Sequence, residues 1–465
     1  MIYYIDSKYG NDLNDGLSRQ TAFASVGRMS EITLKGGDSV LIKAGTEYSG
    51  SLNLKRVRDG GLIKIDRYGV GEKPIINGTG ESPILLTNFD NVEIQNITVT
   101  NKSGAMGIQI LAEEPGEYPN VSVCRCEVYQ VNEGREPYVH ECGGIMLCAW
   151  GEEPTWFKDV LIEDNKLEDV CRSGIMLSSP WIVRPDGLWG KNRYVDDNNG
   201  WFPTENLIVR GNYLNRIGGD GIIIEGIKGG LLEWNKVFNI MTNPIPPCSN
   251  AGIWPINSND CIVQYNEVGF SHKPDDCNDA QGFDVDASCR NTLVQYNYSH
   301  DNEGGFILLC EVAGIGNEEF KGTVVRNNLS VNDGKVKGEL IALVGSVRGA
   351  LIENNTFIVP SEVNHIVEVF SLDGLNQAKN LDINGNRFIS AVKTDEPSRN
   401  NLYNGEDIRF DGNLYSGRGH IAAKDEKNIK TDTALADIEK EIDLFEQLIR
   451  SKKEIKLNFD GERYL

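Results

Sequence analysis

The chain has 465 residues, of which 40% are hydrophobic and 25% charged, and it contains 50 Gly and 16 Pro. Its formal net charge is -22 at pH 7, which argues against nucleic acid or an anionic membrane surface as a partner. No apolar segment approaches the roughly 18 residues that a membrane-spanning helix requires.

The N-terminal segment lacks the features of a secretion signal. Met1 is followed directly by Ile-Tyr-Tyr-Ile-Asp, without a basic start, an apolar core or a small-residue cleavage site. We therefore expect a cytoplasmic protein. Residues 21–32 are expected to form a short helix that caps the first coil of the repeat described next, because an uncovered sheet edge would recruit other chains.

One pattern recurs between residues 92 and 415: an apolar-polar-apolar strand, an Asn and a second short strand. The recurring residues are Asn96, Asn165, Asn212, Asn235, Asn266, Asn297, Asn328, Asn355, Asn386 and Asn413, with Cys126 in the Asn place of one coil. From Asn235 onward the spacings are 31, 31, 31, 27, 31 and 27 residues. A period of roughly 20 to 50 residues is typical of a solenoid, and stacked Asn amides can satisfy one another at a corner.

A second series supplies another strand of each coil. Its members begin at Gly107, Gly144, Gly174, Gly221, Gly252, Gly282 and Gly305. Strand alternation places the residue after each Gly inside the solenoid, namely Ile108, Ile145, Ile175, Ile222, Ile253, Phe283 and Phe306. The pattern predicts an all-β, single-domain right-handed parallel β-helix of about ten or eleven coils.

The domain boundaries follow from the end of the repeat. Residues 1–425 are expected to form the β-helix with its N-terminal cap, and residues 426–465 a C-terminal helical cap. Apolar residues recur there at helical spacing, at Leu435, Ile438, Ile442, Leu444 and Leu448.

Two segments near the N-terminus carry a resemblance to a known family. Tyr-Tyr-Ile-Asp-Ser-Lys-Tyr-Gly-Asn-Asp-Leu-Asn-Asp-Gly at 3–16 and Gly-Gly-Asp-Ser-Val-Leu-Ile-Lys-Ala-Gly at 36–45 resemble the start of many carbohydrate-active proteins of the pectin-lyase-like superfamily. The chain is similar to a glycoside hydrolase-like branch of it over nearly its whole length. The resemblance implies that the Gly-led strands line a carbohydrate-binding groove. The polygalacturonase motifs Asn-Thr-Asp, Asp-Asp, Gly-His-Gly and Arg-Ile-Lys are absent, which puts a pectin substrate in doubt.

Acidic residues gather on the expected outward face of the Gly-led strands. Asp284 and Asp286 are two residues apart, so both point outward with Cα atoms about 6.5 to 7 Å apart. Two close carboxylates push their pKa values apart and leave one acid and one base. This pattern favours glycoside hydrolysis with inversion, and Glu225 and Glu311 are further candidates for the catalytic pair.

Six other residues are expected to bind the substrate. They are Trp254, Trp150, Asp220, His300, Asp301 and Glu303. The two indoles are candidates for stacking against sugar rings, Trp254 foremost, whereas Asp220 is equally explained as a turn residue. The stretch from Tyr298 to Phe306 should bring the His and its acidic neighbours to the groove rim, although a structural turn would explain the same residues.

Two other classes of function stay open. A polysaccharide lyase would hold calcium with the acidic groove residues and abstract a proton with Lys or Arg, and Lys228 and Arg290 lie just beyond the groove strands. A non-catalytic carbohydrate-binding β-helix would repeat aromatic residues along many coils. The hydrolase requires no cofactor. The ten cysteines lack zinc-type spacing, and they are expected to be reduced and to form no disulfide.

Overall fold

The computed structural model is built from parallel strands in three long sheets. It describes residues 1–132, 142–184, 200–242, 249–275, 277, 279–312, 320–336, 338–363, 365–370, 378–390, 399–401, 405–416, 429–430, 439–440, 442–445 and 447. Each coil contributes one strand to every sheet, so the expected parallel β-helix is confirmed.

The groove sheet has 13 strands in the described residues. They are Thr33–Leu34, Leu52–Arg56, Ile84–Thr87, Met106–Ala112, Gly143–Ala149, Ser173–Ser178, Ile222–Glu225, Ile253–Ile256, Phe283–Val285, Ile307–Glu311, Glu339–Gly345, His365–Phe370 and Arg399–Asn401. It contains all seven Gly-led strands of the second sequence series.

The second sheet follows the groove sheet in each coil and has 14 strands in the described residues. They are Ile2–Ile5, Ser39–Lys43, Ile63–Tyr68, Val92–Gln95, Gly116–Cys124, Thr155–Glu163, Thr204–Arg210, Ile227–Glu233, Ile262–Gln264, Leu293–Gln295, Val324–Arg326, Leu351–Glu353, Ala378–Asn384 and Gly405–Asp411.

The third sheet also has 14 strands in the part of the chain that the structure describes. They are Glu47–Ser49, Ile75–Asn77, Thr98–Asn101, Glu127–Val131, Lys166–Val170, Tyr213–Ile217, Lys236–Ile240, Glu267–Gly269, Tyr298–His300, Leu329–Val331, Thr356–Val359, Arg387–Ser390, Leu414–Ser416 and Ile429–Lys430. The expected ten or eleven coils were too few, because the coils before residue 92 carry no Asn of the series.

An Asn ladder joins the second and third sheets. Asn266 is typical: its Oδ1 accepts hydrogen bonds from the backbone N and the Nδ2 of Asn235, both at 3.0 Å. Cys126 stands in the ladder as expected and donates its backbone N–H to Asn165. Asn96 does not belong to the ladder. The backbone carbonyl that accepts the N–H of Glu127 in the next coil is that of Ile97, so Ile97 occupies the ladder position. Asn96 lies one residue before this ladder position and has a φ of 59°.

Both ends of the chain differ in detail from the expected caps. The N-terminal helix is confined to Val26–Met29 and is capped by the hydroxyl of Ser25, so it is shorter than 21–32. The described residues between 439 and 447 are helical, and Ile442 and Phe445 pack against the third sheet. The rest of the expected C-terminal helix lies outside the described residues. None of the described helices is long and apolar enough to cross a membrane.

One cysteine contradicts the expectation of reduced thiols throughout. Cys277 is disulfide-bonded and buried, and its partner lies outside the described residues. Eight other cysteines are free and buried. The expectation of no disulfide is therefore wrong.

Candidate active site

The register of the groove sheet places the acidic residues in adjacent coils. Phe283 pairs with Ile253 on one side and with Ile307 on the other. These three residues point inward and are fully buried in the central core. Asp284 and Asp286 therefore point outward, as expected.

The expected alternation is wrong by one residue in the strand Ile307–Glu311. Asp284 pairs with Leu308 and Val285 with Leu309, so the outward residues of this strand are Leu308 and Cys310. Glu311 has no exposed surface, and its Oε2 accepts the backbone N–H of Ser288 at 2.8 Å. Its expected place on the outward face is therefore wrong.

The pKa of Asp284 is strongly perturbed. Its side chain is buried, with 5% of its surface exposed. Burial raises the pKa of Asp284 well above 3.8, and the negative charges of Asp286, Asp279 and Asp220 raise it further. Asp284 is thus suited to hold a proton at a pH at which an ordinary aspartate has lost it, and to donate that proton.

Asp286 is half-buried and accepts two hydrogen bonds. Its Oδ1 accepts the backbone N–H of Ala287 at 2.6 Å, and the thiol of Cys310 in the next coil donates to its carboxylate. Burial raises the pKa of Cys310, as do the charges of Asp286 and Asp284, so the thiol keeps its proton.

Asp279 is an acidic neighbour that sequence reasoning missed. It lies in the loop before Gly282 and is half-buried, and its charge acts on both Asp284 and Cys310. Only the acidic run in Asp275-Asp-Cys-Asn-Asp279 could have pointed to it. The cluster of Asp279, Asp284 and Asp286, with Asp220 beside it, is called the acid cluster below.

Trp254 and Asp220 form a buried pair beside this cluster. The Nε1 of Trp254 donates to Oδ1 of Asp220 at 2.9 Å, and Asn250 and Ala251 donate two further hydrogen bonds to the same carboxylate. Trp254 is only 5% exposed and Asp220 is fully buried. The expectation of an exposed stacking surface at Trp254 is therefore wrong, and Asp220 supports the indole.

In the coils that precede the acid cluster, several outward side chains of the groove sheet are buried. Met146, Met176 and Ile223 form a second, outward apolar cluster with Trp254, and all are nearly fully buried. Glu225 at the end of its strand is 3% exposed. Trp150 is more open, at 37%, and its Nε1 donates to Ser178 at 3.2 Å.

A described segment at 181–184 lies against the turns that follow these strands. The Nε of Arg184 donates to Asn257 at 2.7 Å, and the Nε1 of Trp181 donates to the carbonyl of Gly151 at 3.0 Å. Ile182 pairs with Trp201 in an antiparallel bridge.

His300 lies in the third sheet and not beside the acid cluster. Its Nδ1 contacts Asp301 at 3.2 Å and its Nε2 contacts Glu267 at 3.5 Å. Burial lowers the pKa of His300, but the hydrogen bonds to Glu267 and Asp301 outweigh it and the pKa is raised. Asp301 is also paired with Lys335 at 2.7 Å.

Glu303 follows on the same turn and accepts the backbone N–H of Lys273 at 2.6 Å. The structure thus gives Glu303, like His300 and Asp301, contacts that hold the loops of the third sheet. The expected role of these three residues at the groove rim stays a prediction. No group of three or more His, Cys, Asp or Glu side chains arranged to hold a metal ion is found within the described residues.

Comparisons with known proteins agree with this fold. No family model matches the chain. It is 23% identical over 520 aligned positions to a lacto-N-biosidase of Bifidobacterium longum subsp. longum, covering 93% of this chain and 32% of that protein. The chain thus spans about a third of the length of this curated relative.

Solved structures are also similar to the chain, and two examples follow. The lacto-N-biosidase of glycoside hydrolase family GH136 from Eubacterium ramulus has a TM-score of 0.68 at 24% identity, covering 83% of this chain and 67% of that one. The A-module of a mannuronan C-5 epimerase from Azotobacter vinelandii has a TM-score of 0.50 at 13% identity, covering 86% of this chain and 92% of that one. At these identities the likeness shows the parallel β-helix fold.

Proposed function

We propose that the chain is a glycoside hydrolase whose acid and base are Asp284 and Asp286. The observation that carries the proposal is the contrast between the two carboxyls. Asp284 is buried, with its pKa raised by burial and by its acidic neighbours, whereas Asp286 is half-buried and accepts two hydrogen bonds. Such a pair supplies one proton donor and one ionised carboxylate at the same pH.

The proposed reaction uses two proton transfers, one to the leaving glycosidic oxygen and one from the attacking water. Asp284 protonates the glycosidic oxygen as the C–O bond breaks and the leaving sugar departs with both bonding electrons. Asp286 removes a proton from a water molecule, whose oxygen forms the new bond to the anomeric carbon. The two residues exchange protonation states, and transfer to bulk water restores them.

The proposed substrate is a neutral oligosaccharide that contains a lacto-N-biose unit. The similarity to two lacto-N-biosidases supports this choice. The charge of the acid cluster supports it as well, because the negative charges of Asp286, Asp279 and Asp220 would repel a uronate. A polyanionic glycan would need a cation to offset this repulsion.

The test is a panel of p-nitrophenyl β-glycosides of lacto-N-biose, galactose, xylose and glucuronic acid, assayed with and without a chelator. We expect release of p-nitrophenol from a neutral glycoside and full activity with the chelator present. Proton NMR of the first sugar released should show the inverted anomer. A retained anomer would assign the chemistry to a closer carboxylate pair. Cleavage of polyuronates that requires calcium and yields products absorbing in the ultraviolet would replace the hydrolase with a lyase.

A further inference from the structure

Gln281 is a buried amide at the edge of the acid cluster. It directly precedes the strand that carries Asp284, and its side chain has no exposed surface. Neither its amide oxygen nor its amide nitrogen has a hydrogen-bond partner among the described residues, and the same holds for Oδ1 of Asp284. Folded proteins satisfy nearly all buried polar groups, so three such atoms within four residues of the chain indicate a site for a polar ligand.

The register of the groove sheet indicates the direction in which the side chain of Gln281 extends. Gly221 donates to the carbonyl of Ala251, and Gly252 donates to the carbonyl of Gln281, so Asp220 and Gln281 occupy equivalent positions two coils apart. The carboxylate of Asp220 reaches the outward indole of Trp254. The equivalent position of Gln281 brings its amide towards the outward face on which Asp284 lies.

The backbone before Gln281 is held in an unfavourable conformation. Ala280 has a φ of 108°, a region that non-glycine residues rarely adopt. Its N–H donates to the carbonyl of Asn250 at 2.9 Å, and its own carbonyl accepts the hydroxyl of Ser271 at 2.6 Å. Strain of this kind persists where the surroundings fix it and clusters at ligand sites. Here it fixes Asp279 and Gln281 on either side of Ala280.

We propose that the amide of Gln281 binds two neighbouring hydroxyl groups of a neutral sugar, beside the carboxyl of Asp284. The side chain of Gln281 ends in a primary amide. Its Nε2 group donates to one hydroxyl oxygen, and its Oε1 accepts the proton of the other. Gln281 is thus a specificity-determining residue and takes no part in the proton transfers. The inference rests on the proposed function and adds the residue that selects the ligand.

The test compares Gln281→Leu with the wild-type protein on the p-nitrophenyl glycoside of the panel that the wild type cleaves best. Leu removes both polar atoms at similar size. We expect KM to rise about tenfold or more with kcat little changed, because a desolvated sugar hydroxyl loses its partner. The melting temperature should stay unchanged or rise, since the unliganded variant no longer buries an unsatisfied amide.

Gln295→Leu is the matched control, because Gln295 lies in the same coil on the second sheet and donates to Gln264 at 2.9 Å. It should leave KM unchanged. Calorimetric titration with the sugar released from the same substrate gives an affinity independent of turnover. Equal KM and equal affinity in Gln281→Leu and wild type would overturn the inference while leaving the hydrolase intact, as would a lowered melting temperature with unchanged KM. A wild-type protein that cleaves nothing in the panel would remove the proposed function and this inference with it.

Discussion

The indole Nε1 of Trp254 donates a 2.9 Å hydrogen bond to Oδ1 of Asp220, and both side chains are buried. Asn250 and Ala251 complete the partners of this carboxylate. Asp220 also raises the pKa of Asp284 through its charge. The pair thus links the packing of the outward face to the chemistry of the acid cluster.

Trp254→Phe removes the N–H donor and keeps an aromatic ring. We expect the free energy of unfolding to fall by about 1–3 kcal/mol, because the buried carboxylate of Asp220 loses one of its donors. Urea denaturation of this variant, of Asp220→Asn and of the double variant measures their coupling, which should exceed about 0.5 kcal/mol. Trp181→Phe is the control, since the indole of Trp181 donates to a backbone carbonyl. Additive effects of Trp254→Phe and Asp220→Asn would contradict the link.

The Asn ladder gives a second prediction, on stability alone. Asn266 is fully buried, donates to the carbonyl of Leu232 at 2.9 Å and shares further hydrogen bonds with Asn235 and Asn297. We expect Asn266→Ala to lower the free energy of unfolding by roughly 2 kcal/mol or more, because several buried donors and acceptors lose their partners. Asn96→Gly is the control: Asn96 lies outside the ladder at a φ of 59°, which Gly adopts freely. An equal loss of unfolding free energy in Asn266→Ala and Asn96→Gly would contradict the placement of Asn96 outside the ladder.

Most of the fold could be predicted because its signals are local and repeated. From Asn235 onward the ladder Asn residues recur every 27 or 31 residues, and each makes similar hydrogen bonds, so the repeat in the sequence indicates the coil. The strand Ile307–Glu311 could not be placed correctly, because Gly282-Phe and Gly305-Phe look alike in sequence. The structure pairs Phe283 with Ile307, so the turn before Phe306 holds one residue more than the repeat indicates.

The site was predicted less completely for a different reason. The outward direction of Asp284 and Asp286 follows from alternation, but burial of Trp254 depends on packing that alternation does not show. Asp279 lies in a loop that obeys no period. The contacts of His300 with Glu267 and Asp301 depend on packing that the sequence does not show.

The thiol content gives a third prediction. Eight cysteines are free and Cys277 is disulfide-bonded, so thiol titration after denaturation without reductant should find about eight reactive groups and, after reduction, all ten cysteines of the sequence. Cys277→Ser should release its partner and leave nine reactive thiols of nine. Ten thiols without reductant would show a protein without the disulfide at Cys277 and would contradict this prediction.

The catalytic assignment gives a fourth prediction. Asp284→Asn and Asp286→Asn should each lower kcat by about 10² to 10⁴ and leave the melting temperature nearly unchanged. Asn resembles the protonated carboxyl of Asp284, and at position 286 its amide oxygen still accepts the N–H of Ala287. Asp260→Asn, an exposed residue on another face that accepts a hydrogen bond from Asn291, should keep full activity. Full activity of both catalytic variants would shift the assignment to Asp279 and Glu225.

The fifth prediction concerns pH. The folded-state pKa of Asp284 is raised above 3.8, so the folded protein binds this proton more tightly than the unfolded chain does. The resulting stability is fully present below about pH 3.8 and is lost as pH rises through the raised pKa. The same rise removes the proton that Asp284 must donate, so kcat/KM should fall on the basic side of its pH profile.

Asp220→Asn tests this assignment without touching the proton donor. Removing the negative charge of Asp220 lowers the pKa of Asp284, because that charge contributes to raising it. The basic limb of kcat/KM should therefore move to lower pH in Asp220→Asn. In Asp284→Asn the dependence of unfolding free energy on pH should become flatter over the same range, as measured by urea denaturation at several pH values. A basic limb that stays in place in Asp220→Asn, with an unchanged slope of stability in Asp284→Asn, would show that another group carries the proton.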